Sequence, residues 1–590
     1  MFRTKLLNEV TKKDSGDKVT LSGWVHRRRD HGGIIFVDLR DRYGLVQIHS
    51  DPQKFAEAHA LLDDCRSEFV IKVEGTVMNR PDNMVNPKME SGEIEVMAEK
   101  VEILSASETP PFEVDQDKDL PEDLRLKYRY IDLRRARMKN NMIVRSKVFK
   151  FIRDFMDKED FLEIETPIMI KGTPEGSREY IVPSRLYPEN FYVLPQSPQQ
   201  LKQLLMVAGY DKYFQLARCF RDEDQRGDRQ PEFTQLDIEM SFVDMEDVID
   251  INERLLKEVF NTFCKDKKVG KEIVRLTYEE AMNSYGSDKP DMRFDIPLSD
   301  ISDLVADCEF GVFKNTVDGG GVVKALRVEK GSEFTRKQID DLESYIKELG
   351  AKGLAYLVVQ EDGYKSPIAK FFKDEELDAI AERCGALTGD IIFFAADKWN
   401  KCCEYLGAAR LKIGDILELR DPNHFVFCWV THFPLFEYDD AGENLNSVHH
   451  PFTSPSLEDL DLLDTNPEKA LSESYDIVIN GVELGGGSIR IHDAKLQAKM
   501  FKLLGISDED AERRFGHILK AFTYGVPPHG GVAWGLDRLI MLMQGELNIR
   551  EVIPFPKDQQ ARDLMLGAPS ELPMSTLREA NISLLKKGKK

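Results

Sequence analysis

The chain lacks long apolar runs and cysteine motifs, and it is short of positive charge. Its apolar stretches stay well below the ~18 residues of a membrane-spanning helix, and residues 1–14 lack the apolar core of a signal peptide. The eight cysteines include no CxxC pair, and two of them are adjacent. The sequence therefore indicates neither a zinc site nor a disulfide framework, and we expect a cytoplasmic protein without a membrane segment.

The shortage of positive charge bears on the class of partner. The 590 residues include 81 Lys and Arg against 104 Asp and Glu, a net charge of −23. That total argues against a nucleic-acid binder, because neutralising phosphates requires Lys and Arg. The distribution is uneven, however, with a local +4 over residues 1–50, +6 over 124–139 and a KKGKK tail. These basic segments could still bind nucleic acid locally, although the chain as a whole is acidic.

The chain divides into stretches of different texture. Five β-rich runs fill the first ~105 residues, and a helical stretch at 52–64 separates the third run from the fourth. This layout is typical of an OB-fold barrel. A Pro- and acid-rich linker follows at 106–123, and apolar residues at helical spacing then predict a helix over about 141–158. Residues from about 290 to 425 read as an inserted α/β module, since strand patterns resume at 426.

The first chemical motif is FRDEDQRGDRQPEFTQLDIEMSF, residues 220–242. Strand alternation after Phe233 places Gln235, Asp237, Glu239 and Ser241 on one face. The loop 222–232 carries seven charged residues, and Arg221 stands at its base. Two strands and a charged loop could clamp a polyanion, and an ordinary solvent-exposed hairpin fits the pattern equally well.

The second motif is YDIVINGVELGGGSIRIH, residues 475–492. Asn480-Gly481 predicts a tight hairpin, which puts Asp476 and Glu483 on the same sheet face. Two carboxylates at that distance repel each other unless a cation lies between them. Mg²⁺ prefers oxygen ligands and suits the position, while a solvated pair without an ion remains the simpler interpretation.

Two further motifs point to small anionic ligands. In PPHGGVAWGLDRLIMLM, residues 527–543, Arg538 falls in the first turn of a helix, where a cation is unfavourable unless it meets an anion. We interpret it as a phosphate contact, with a surface arginine as the alternative. Gln199 and Lys202 share the first turn of another helix, and the polar loop 173–180 could close over a substrate or be a plain surface loop.

Together these motifs resemble those of the class II aminoacyl-tRNA synthetases, and among them the bacterial aspartyl enzymes. FLEIETPIM (161–169) is similar to motif 1 of the family, FRDED…RQPEFTQLD to motif 2 and GLDR (535–538) to motif 3, in that order behind an OB-fold. The resemblance implies an α+β multidomain fold with a six-stranded antiparallel sheet flanked by helices. The implied domains are an OB-fold at 1–107, a hinge at 108–130, a catalytic domain at 131–289 and 426–558, a GAD-like insertion at 290–425, and a C-terminal extension at 559–590.

The resemblance also implies site residues. For ATP these are Arg221, Asp222, Glu223, Gln230, Glu483, Gly535, Leu536, Asp537 and Arg538, of which Arg221 and Arg538 are catalytic. For L-aspartate they are Glu175, Ser197, Gln199, Lys202, Arg221, Asp237, His449 and Arg490. Mg²⁺ would be held by Asp476 and Glu483. The implied reaction forms aspartyl-adenylate and then charges tRNA(Asp), in a homodimer.

On the barrel, the resemblance implies an anticodon site of Arg27, Arg29, Phe36 and Gln47, with a barrel-core position as the alternative for Phe36. His31 and Asn83 favour an enzyme that also charges tRNA(Asn). The other interpretation is that the residues at these two positions result from neutral drift. Competing functions are a strictly tRNA(Asp)-specific enzyme, an asparaginyl or lysyl enzyme, an inactive RNA-binding protein and an asparagine synthetase. The GAD-like insertion and Arg490 argue against the asparaginyl and lysyl enzymes. The full set of site residues argues against an inactive RNA-binding protein, and the barrel argues against an asparagine synthetase.

Overall fold

The structure is a computed structural model that describes residues 1–116, 118–172, 177–439 and 442–585. The chain forms two compact units. Unit 1 comprises Met1–Arg145 and Arg550–Glu571, and unit 2 comprises Ser146–Ile549 and Leu572–Lys590. Within the described ranges, no helix combines the length and the apolar character needed to cross a membrane.

Unit 1 is built around a closed five-stranded barrel. Its strands are β1 (Lys18–His31), β2 (Ile34–Arg40), β3 (Leu45–Ser50), β4 (Val70–Asn79) and β5 (Ile94–Ser105), in the order β1-β2-β3-β5-β4. Helix α1 (Ala56–Asp64) lies between β3 and β4. Alternate residues of β2, namely Ile35, Val37 and Leu39, point into the core, as a period of two requires. The predicted OB-fold is confirmed.

The basic run 124–139 lies on three helices of unit 1, α2 (Glu122–Lys127), α3 (Arg129–Asp132) and the start of α4 (Ala136–Lys158). Three of its arginines surround the buried Asp132. Arg125 donates to this carboxylate from Nε and Nη2 at 3.1 Å each, Arg129 from Nη1 at 2.6 Å, and Arg135 from Nη1 at 3.3 Å. Much of the +6 of this segment is therefore internal rather than a basic surface.

The remaining elements belong to unit 2. Its strands are β6 (Leu162–Glu163), β7 (Ile181–Pro183), β8 (Phe191–Val193), β9 (Lys212–Phe220), β10 (Glu232–Ser241), β11 (Lys268–Thr277), β12 (Leu298–Asp300), β13 (Val322–Val328), β14 (Ala355–Gln360), β15 (Gly363–Lys365), β16 (Ile391–Asp397), β17 (His424–Thr431), β18 (Phe436–Tyr438), β19 (Leu445–Ser447), β20 (Ser474–Ile479), β21 (Val482–Ile489) and β22 (His529–Gly535). Its helices are α5 (Gln199–Val207), α6 (Met245–Phe263), α7 (Tyr278–Tyr285), α8 (Ser302–Val305), α9 (Gly311–Asp318), α10 (Arg336–Glu348), α11 (Asp374–Arg383), α12 (Trp399–Ile416), α13 (Leu462–Thr465), α14 (Ala494–Leu503), α15 (Asp508–Phe522), α16 (Leu536–Gln544) and α17 (Met574–Glu579).

The main sheet of unit 2 has the order β11-β17-β20-β21-β22-β10-β9-β6. The six strands from β17 to β9 are antiparallel throughout, which confirms the predicted six-stranded sheet. One strand is added at each edge, and both β11 and β6 pair in parallel. The whole sheet therefore has eight strands, the six predicted antiparallel ones and these two edge strands.

A second sheet of five strands, in the order β12-β13-β16-β14-β15, lies within the segment read as an insertion. Its two faces are covered by separate apolar clusters, one including Ile346 and Leu406 and the other including Val305 and Ile380. A sheet packed on both faces forms an α/β arrangement with its own core. The proposed domain boundaries and the likeness to a GAD insertion stay predictions.

Candidate active site

A polar cavity of about 840 Å³ opens over the centre of the main sheet. Its walls come from β10, β20, β21 and β22, from the first turns of α5 and α16, and from the loop 222–232. Gln235 and Asp237 of β10 line it, and Glu239 lies buried on the same polar side of the strand. A Cβ at Gly531, on the neighbouring β22, would stand 2.2 Å from Oε2 of Glu239. The glycine therefore makes room for this carboxylate.

Four buried charges stand at one end of the cavity. Lys202 Nζ lies 2.7 Å from Asp237 Oδ1 and 3.1 Å from Glu239 Oε2. Arg490 donates to Glu239 from Nε at 3.0 Å and from Nη2 at 3.3 Å. Burial acts to raise the pKa of Glu239, but Arg490 and Lys202 outweigh it and hold that pKa at about 2. Burial raises the pKa of Asp237 despite the neighbouring Lys202.

The hairpin turns at Asn480-Gly481 as predicted, with Val478 opposite Glu483. A register shift just beyond that pair brings Asp476 opposite Gly486, where a Cβ would stand 2.3 Å from Oδ1 of the aspartate. Glycine here leaves space for the carboxylate. Asp476 and Glu483 both line the cavity, so their predicted common face is confirmed.

Each of these two carboxylates contacts a basic side chain. His449 Nε2 lies 3.2 Å from Asp476 Oδ1, and Lys289 Nζ lies 2.9 Å from Glu483 Oε2. Burial opposes protonation of His449, but Asp476 raises the pKa of that imidazole above its ordinary value. Among the residues that the structure describes, no three His, Cys, Asp or Glu side chains come together as a metal site. A cation at this pair would need further oxygens from a ligand or from water.

Two arginines of the predicted ATP site line the cavity. The Arg221 guanidinium lies 5.2 Å from the centre of the Phe233 ring, and it forms no ion pair with any carboxylate in the described ranges. Arg538 stands in the first turn of α16, as predicted, and donates to the Glu483 carbonyl from Nη1 and to Asp228 Oδ2 from Nη2 at 3.1 Å. Both guanidinium groups are placed to meet a polyanion.

Most of the predicted site residues come together here. The cavity is lined by Ser197, Gln199, Lys202, Arg221, Glu223, Gln230, Asp237, His449, Asp476, Glu483, Arg490, Gly535, Asp537 and Arg538. Asp222 instead forms a backbone bridge with Arg178, and Leu536 is buried in the core. Glu175 lies outside the described residues.

The comparisons agree with the geometry. A family model for tRNA synthetases class II (D, K and N) matches residues 121–559, and a model for an OB-fold nucleic acid binding domain matches 19–104. An aspartate–tRNA(Asp/Asn) ligase of Desulfatibacillum aliphaticivorans is 52% identical over 587 residues, which cover 99% of this chain and 98% of the relative. An aspartate–tRNA ligase of Staphylococcus carnosus is 50% identical over 584 residues, which cover 99% of each chain. The chain belongs to the aspartate–tRNA ligase family of class II tRNA synthetases.

Solved structures support the fold of this synthetase at lower identity. Asparaginyl-tRNA synthetase of Pyrococcus horikoshii, in complex with asparaginyl-adenylate, aligns with a TM-score of 0.57 at 19% identity and covers 94% of this chain and 98% of its own. An aspartyl-tRNA synthetase of Entamoeba histolytica aligns with a TM-score of 0.58 at 18% identity and covers 94% and 91%.

The second predicted site of the synthetase lies on the barrel surface. Phe36 points outward between His31 and His49, whose ring centres are each 6.0 Å away. Arg29 Nη2 donates to Asp38 at 2.7 Å and to Gln47 at 3.3 Å. The outward direction of Phe36 counts against the alternative of a core residue, because the core takes the neighbouring residues of β2.

Other predicted residues of the barrel pair with carboxylates or are exposed. Arg27 Nη2 donates to Asp115 at 2.6 Å, and Gln47 Nε2 donates to Glu95 at 2.9 Å. Asn83 is exposed in a single turn at Asp82–Met84.

Several residues that line the cavity were not predicted from the sequence. Lys289, Asp228 and His450 line the cavity without having been proposed, and so do Ser177 and Gln196, which join through three mutual hydrogen bonds. Burial, with Arg490 and Lys202 nearby, lowers the pKa of His450 to about 3, so this imidazole is neutral. Asp228 could have been found from the charged loop, whereas nothing local marks Lys289.

Proposed function

We propose that the synthetase activates L-aspartate with ATP and then transfers it to the 3′ end of tRNA(Asp). The observation that carries this proposal is the buried pair Lys202 and Arg490 beside Asp237. Two cations suit the side-chain carboxylate of the amino acid, and one carboxylate suits its α-ammonium. Gln199 and Ser197 border the same end of the cavity, and Glu175 and His449 complete the proposed aspartate set.

Activation follows from how charge is placed. An α-carboxylate oxygen of aspartate attacks the α-phosphorus in line, the bond from that phosphorus to the β-phosphate oxygen breaks, and pyrophosphate leaves. Arg221 faces the α-phosphate and the attacking carboxylate, and Arg538 faces the γ-phosphate. Glu223 and Gln230 bind the nucleoside. No protein nucleophile is required, because positioning and electrostatic stabilisation lower the barrier. The aspartyl group then moves from AMP to a terminal tRNA hydroxyl.

Asp476 and Glu483 would hold Mg²⁺ together with phosphate oxygens. The fit rests on their chemistry, because both are carboxylates and both reach the cavity. Burial raises the pKa of Asp476, and a bound cation would favour its charged form. When bound, this ion neutralises charge on the triphosphate. In the structure, Lys289 contacts Glu483 and His449 contacts Asp476.

Selection against asparagine rests on the same cations. Asparagine is nearly isosteric with aspartate but has a neutral side chain. Its ammonium would make a third cation beside Lys202 and Arg490, with only the carboxylates of Asp237 and Glu239 to balance the three. A buried site built for a charged partner rejects its neutral analogue by several powers of ten. The asparaginyl and lysyl functions are disfavoured on this ground.

The outer face of the barrel would read the anticodon. Phe36 offers a stacking surface for an unpaired base, Gln47 a polar group for a base edge, and Arg27 and Arg29 phosphate contacts. His31 and Asn83 favour charging of tRNA(Asn) as well as tRNA(Asp), and a strictly tRNA(Asp)-specific enzyme is the alternative. Charging each tRNA transcript with aspartate decides between them: product on the asparagine transcript supports the broader specificity, and its absence overturns it.

The proposal includes a homodimer that works in the cytoplasm. Motif 1 leaves Leu162, Ile168 and Met169 exposed at 50%, 46% and 57%. Apolar side chains clustered on one segment are the composition expected of a surface that a second copy covers. Sedimentation of the full chain tests this, since a monomer at micromolar concentration would contradict it.

ATP–pyrophosphate exchange with each amino acid, with and without tRNA, tests the main proposal. We expect exchange with aspartate alone and transfer to tRNA(Asp). Exchange with asparagine would support an asparaginyl enzyme, and exchange with lysine would support a lysyl enzyme. Absence of exchange with every amino acid would support an RNA-binding protein, and amide synthesis without tRNA would support an asparagine synthetase.

A further inference from the structure

Glu239 differs from the other three charges at the end of the cavity. Lys202, Asp237 and Arg490 line the cavity wall, whereas Glu239 lies behind them and is fully buried, with 0% exposure. It cannot meet a substrate directly from there. Its carboxylate instead contacts both cations that face the substrate.

The donors of Arg490 are nearly all committed. Nε and Nη2 donate to Glu239 at 3.0 and 3.3 Å, Nη2 also donates to the Gly531 carbonyl at 3.4 Å, and Nη1 donates to Ser488 Oγ at 2.6 Å. A guanidinium carries five N–H groups. Among the residues that the structure describes, one N–H, on Nη1, is therefore left for a ligand. Glu239 occupies the Nε–Nη2 edge that usually binds carboxylates in bidentate fashion.

Lys202 is held in a similar way. Its ammonium contacts Asp237 at 2.7 Å, Glu239 at 3.1 Å and the Ile238 carbonyl at 3.4 Å. An incoming α-ammonium would draw Asp237 away from this lysine. Glu239 would then be the carboxylate that keeps Lys202 beside Arg490.

We propose that Glu239 is a positioning residue for substrate selection. It turns Nη1 of Arg490 and the ammonium of Lys202 towards the two oxygens of the substrate's side-chain carboxylate. This inference rests on the proposed function and adds a group that does not touch the substrate. The charges also balance: two cations and two carboxylates in the empty site become three of each when aspartate brings its ammonium and side-chain carboxylate.

The test is Glu239→Gln in the full-length protein, measured by ATP–pyrophosphate exchange. The amide nitrogen places a donor against the donors of Arg490 or Lys202. We expect the KM for aspartate to rise by about tenfold or more, with the KM for ATP within about threefold, because neither Arg221 nor Arg538 contacts Glu239.

The direction of the effect separates positioning from simple charge. Removing a carboxylate makes the site more positive, so a role in charge alone predicts an unchanged or lower KM for aspartate. That outcome overturns the proposal. Glu239→Asp keeps the charge but shortens the side chain, and we expect it to raise the KM as well, since one carboxylate drawn back cannot hold both cations.

Glu473→Gln serves as the matched control. Glu473 is partly buried, directly precedes β20 of the same sheet, and is not among the residues that line the cavity. We expect its KM for aspartate to equal that of the unmodified protein. A matching rise in both variants would attribute the effect to the sheet in general and overturn the assignment.

Thermal unfolding and tRNA binding show whether Glu239→Gln is folded. If it is not, Ser488→Ala tests the same geometry from the opposite edge of Arg490. We then expect a rise of about threefold or more in the KM for aspartate, and an unchanged value overturns the proposal. Absence of aspartate-dependent exchange in the unmodified protein would refute the proposed function itself, whereas normal exchange with an unaffected Glu239→Gln refutes the positioning role alone.

Discussion

Asp132 is the carboxylate on which the arginines of the basic run converge, and its replacement by Asn tests what that run does. The residue is fully buried, with 0% exposure, and accepts hydrogen bonds from Arg125, Arg129 and Arg135. An Asn side chain has the same shape but no charge, and its NH₂ group turns a donor towards guanidinium donors. The change therefore removes the anion while leaving the cations buried.

The expected cost is large. Removing one member of a buried ion pair costs about 3–5 kcal/mol. For a unit of this size that corresponds to a fall of about 6–20 °C in the unfolding midpoint. Glu551 limits the damage, because it also accepts hydrogen bonds from Arg125. Thermal unfolding followed by circular dichroism measures the shift for Asp132→Asn against the unmodified protein.

Asp132→Asn should lower the stability of the protein without changing how its tRNA affinity depends on salt. The arginines around Asp132 face inward and release no counterions when tRNA binds, so the dependence of log K on log salt should keep its slope. Replacing the half-exposed Arg27 by Ala should instead lower that slope by about 0.7–0.9 if it contacts a phosphate. A midpoint within about 1 °C of the unmodified protein, or a changed salt slope in folded Asp132→Asn, would refute the structural role.

The acid limb of the stability curve provides a second check. Burial acts to raise the pKa of Asp132, but Arg125 and its neighbours outweigh it and lower that pKa below its ordinary value. A depressed pKa stabilises the folded state above the unfolded value, and this contribution disappears as pH falls through the folded one. The unmodified protein should therefore lose stability below about pH 4 more steeply than Asp132→Asn, which has no proton to bind there.

Three further predictions concern the proposed sites. Arg490→Leu should reduce aspartate-dependent pyrophosphate exchange by about two to three powers of ten, with the KM for ATP nearly unchanged; normal exchange would contradict the aspartate assignment. Phe36→Ala should weaken tRNA(Asp) binding by about 1–3 kcal/mol, while exchange without tRNA stays constant, and an equal loss in both assays would mean that the barrel is destabilised. Raising salt from about 50 to 200 mM should weaken tRNA binding at least about tenfold and affect aspartate activation far less; equal sensitivity would contradict localised basic contacts.

The alternation of β10 and the Asn480-Gly481 turn could be read from the sequence because both depend on neighbouring residues. Strand geometry alone places Gln235, Asp237 and Glu239 on one face. The geometry of the hairpin likewise determines which residue pairs with Glu483. The barrel was predictable for the same reason. These features are local in sequence, and the structure confirms them.

Contacts between distant segments could not be predicted in this way. Glu239 was placed on the polar face but given no role, because its partner Arg490 lies 251 residues away. Lys289 approaches Glu483 from a loop without any recognisable motif. Strand β6 has two residues and is too short to show a period, so the parallel edge was missed.

Exposure rather than net charge decides which arginines are available to RNA. Arg129 lies in the most basic segment, yet it is 2% exposed and donates to Asp132 and to the carbonyls of Arg550, Ile553 and Pro554. Arg27 lies in a less basic segment, and its side chain is 51% exposed and pairs with the carboxylate of Asp115. A phosphate can replace one exposed carboxylate at little cost, whereas it cannot reach a guanidinium enclosed by four acceptors. The net charge of −23 argues against RNA binding, and the +6 of residues 124–139 argues for it on arginines that are largely enclosed. Neither charge shows which arginines are exposed.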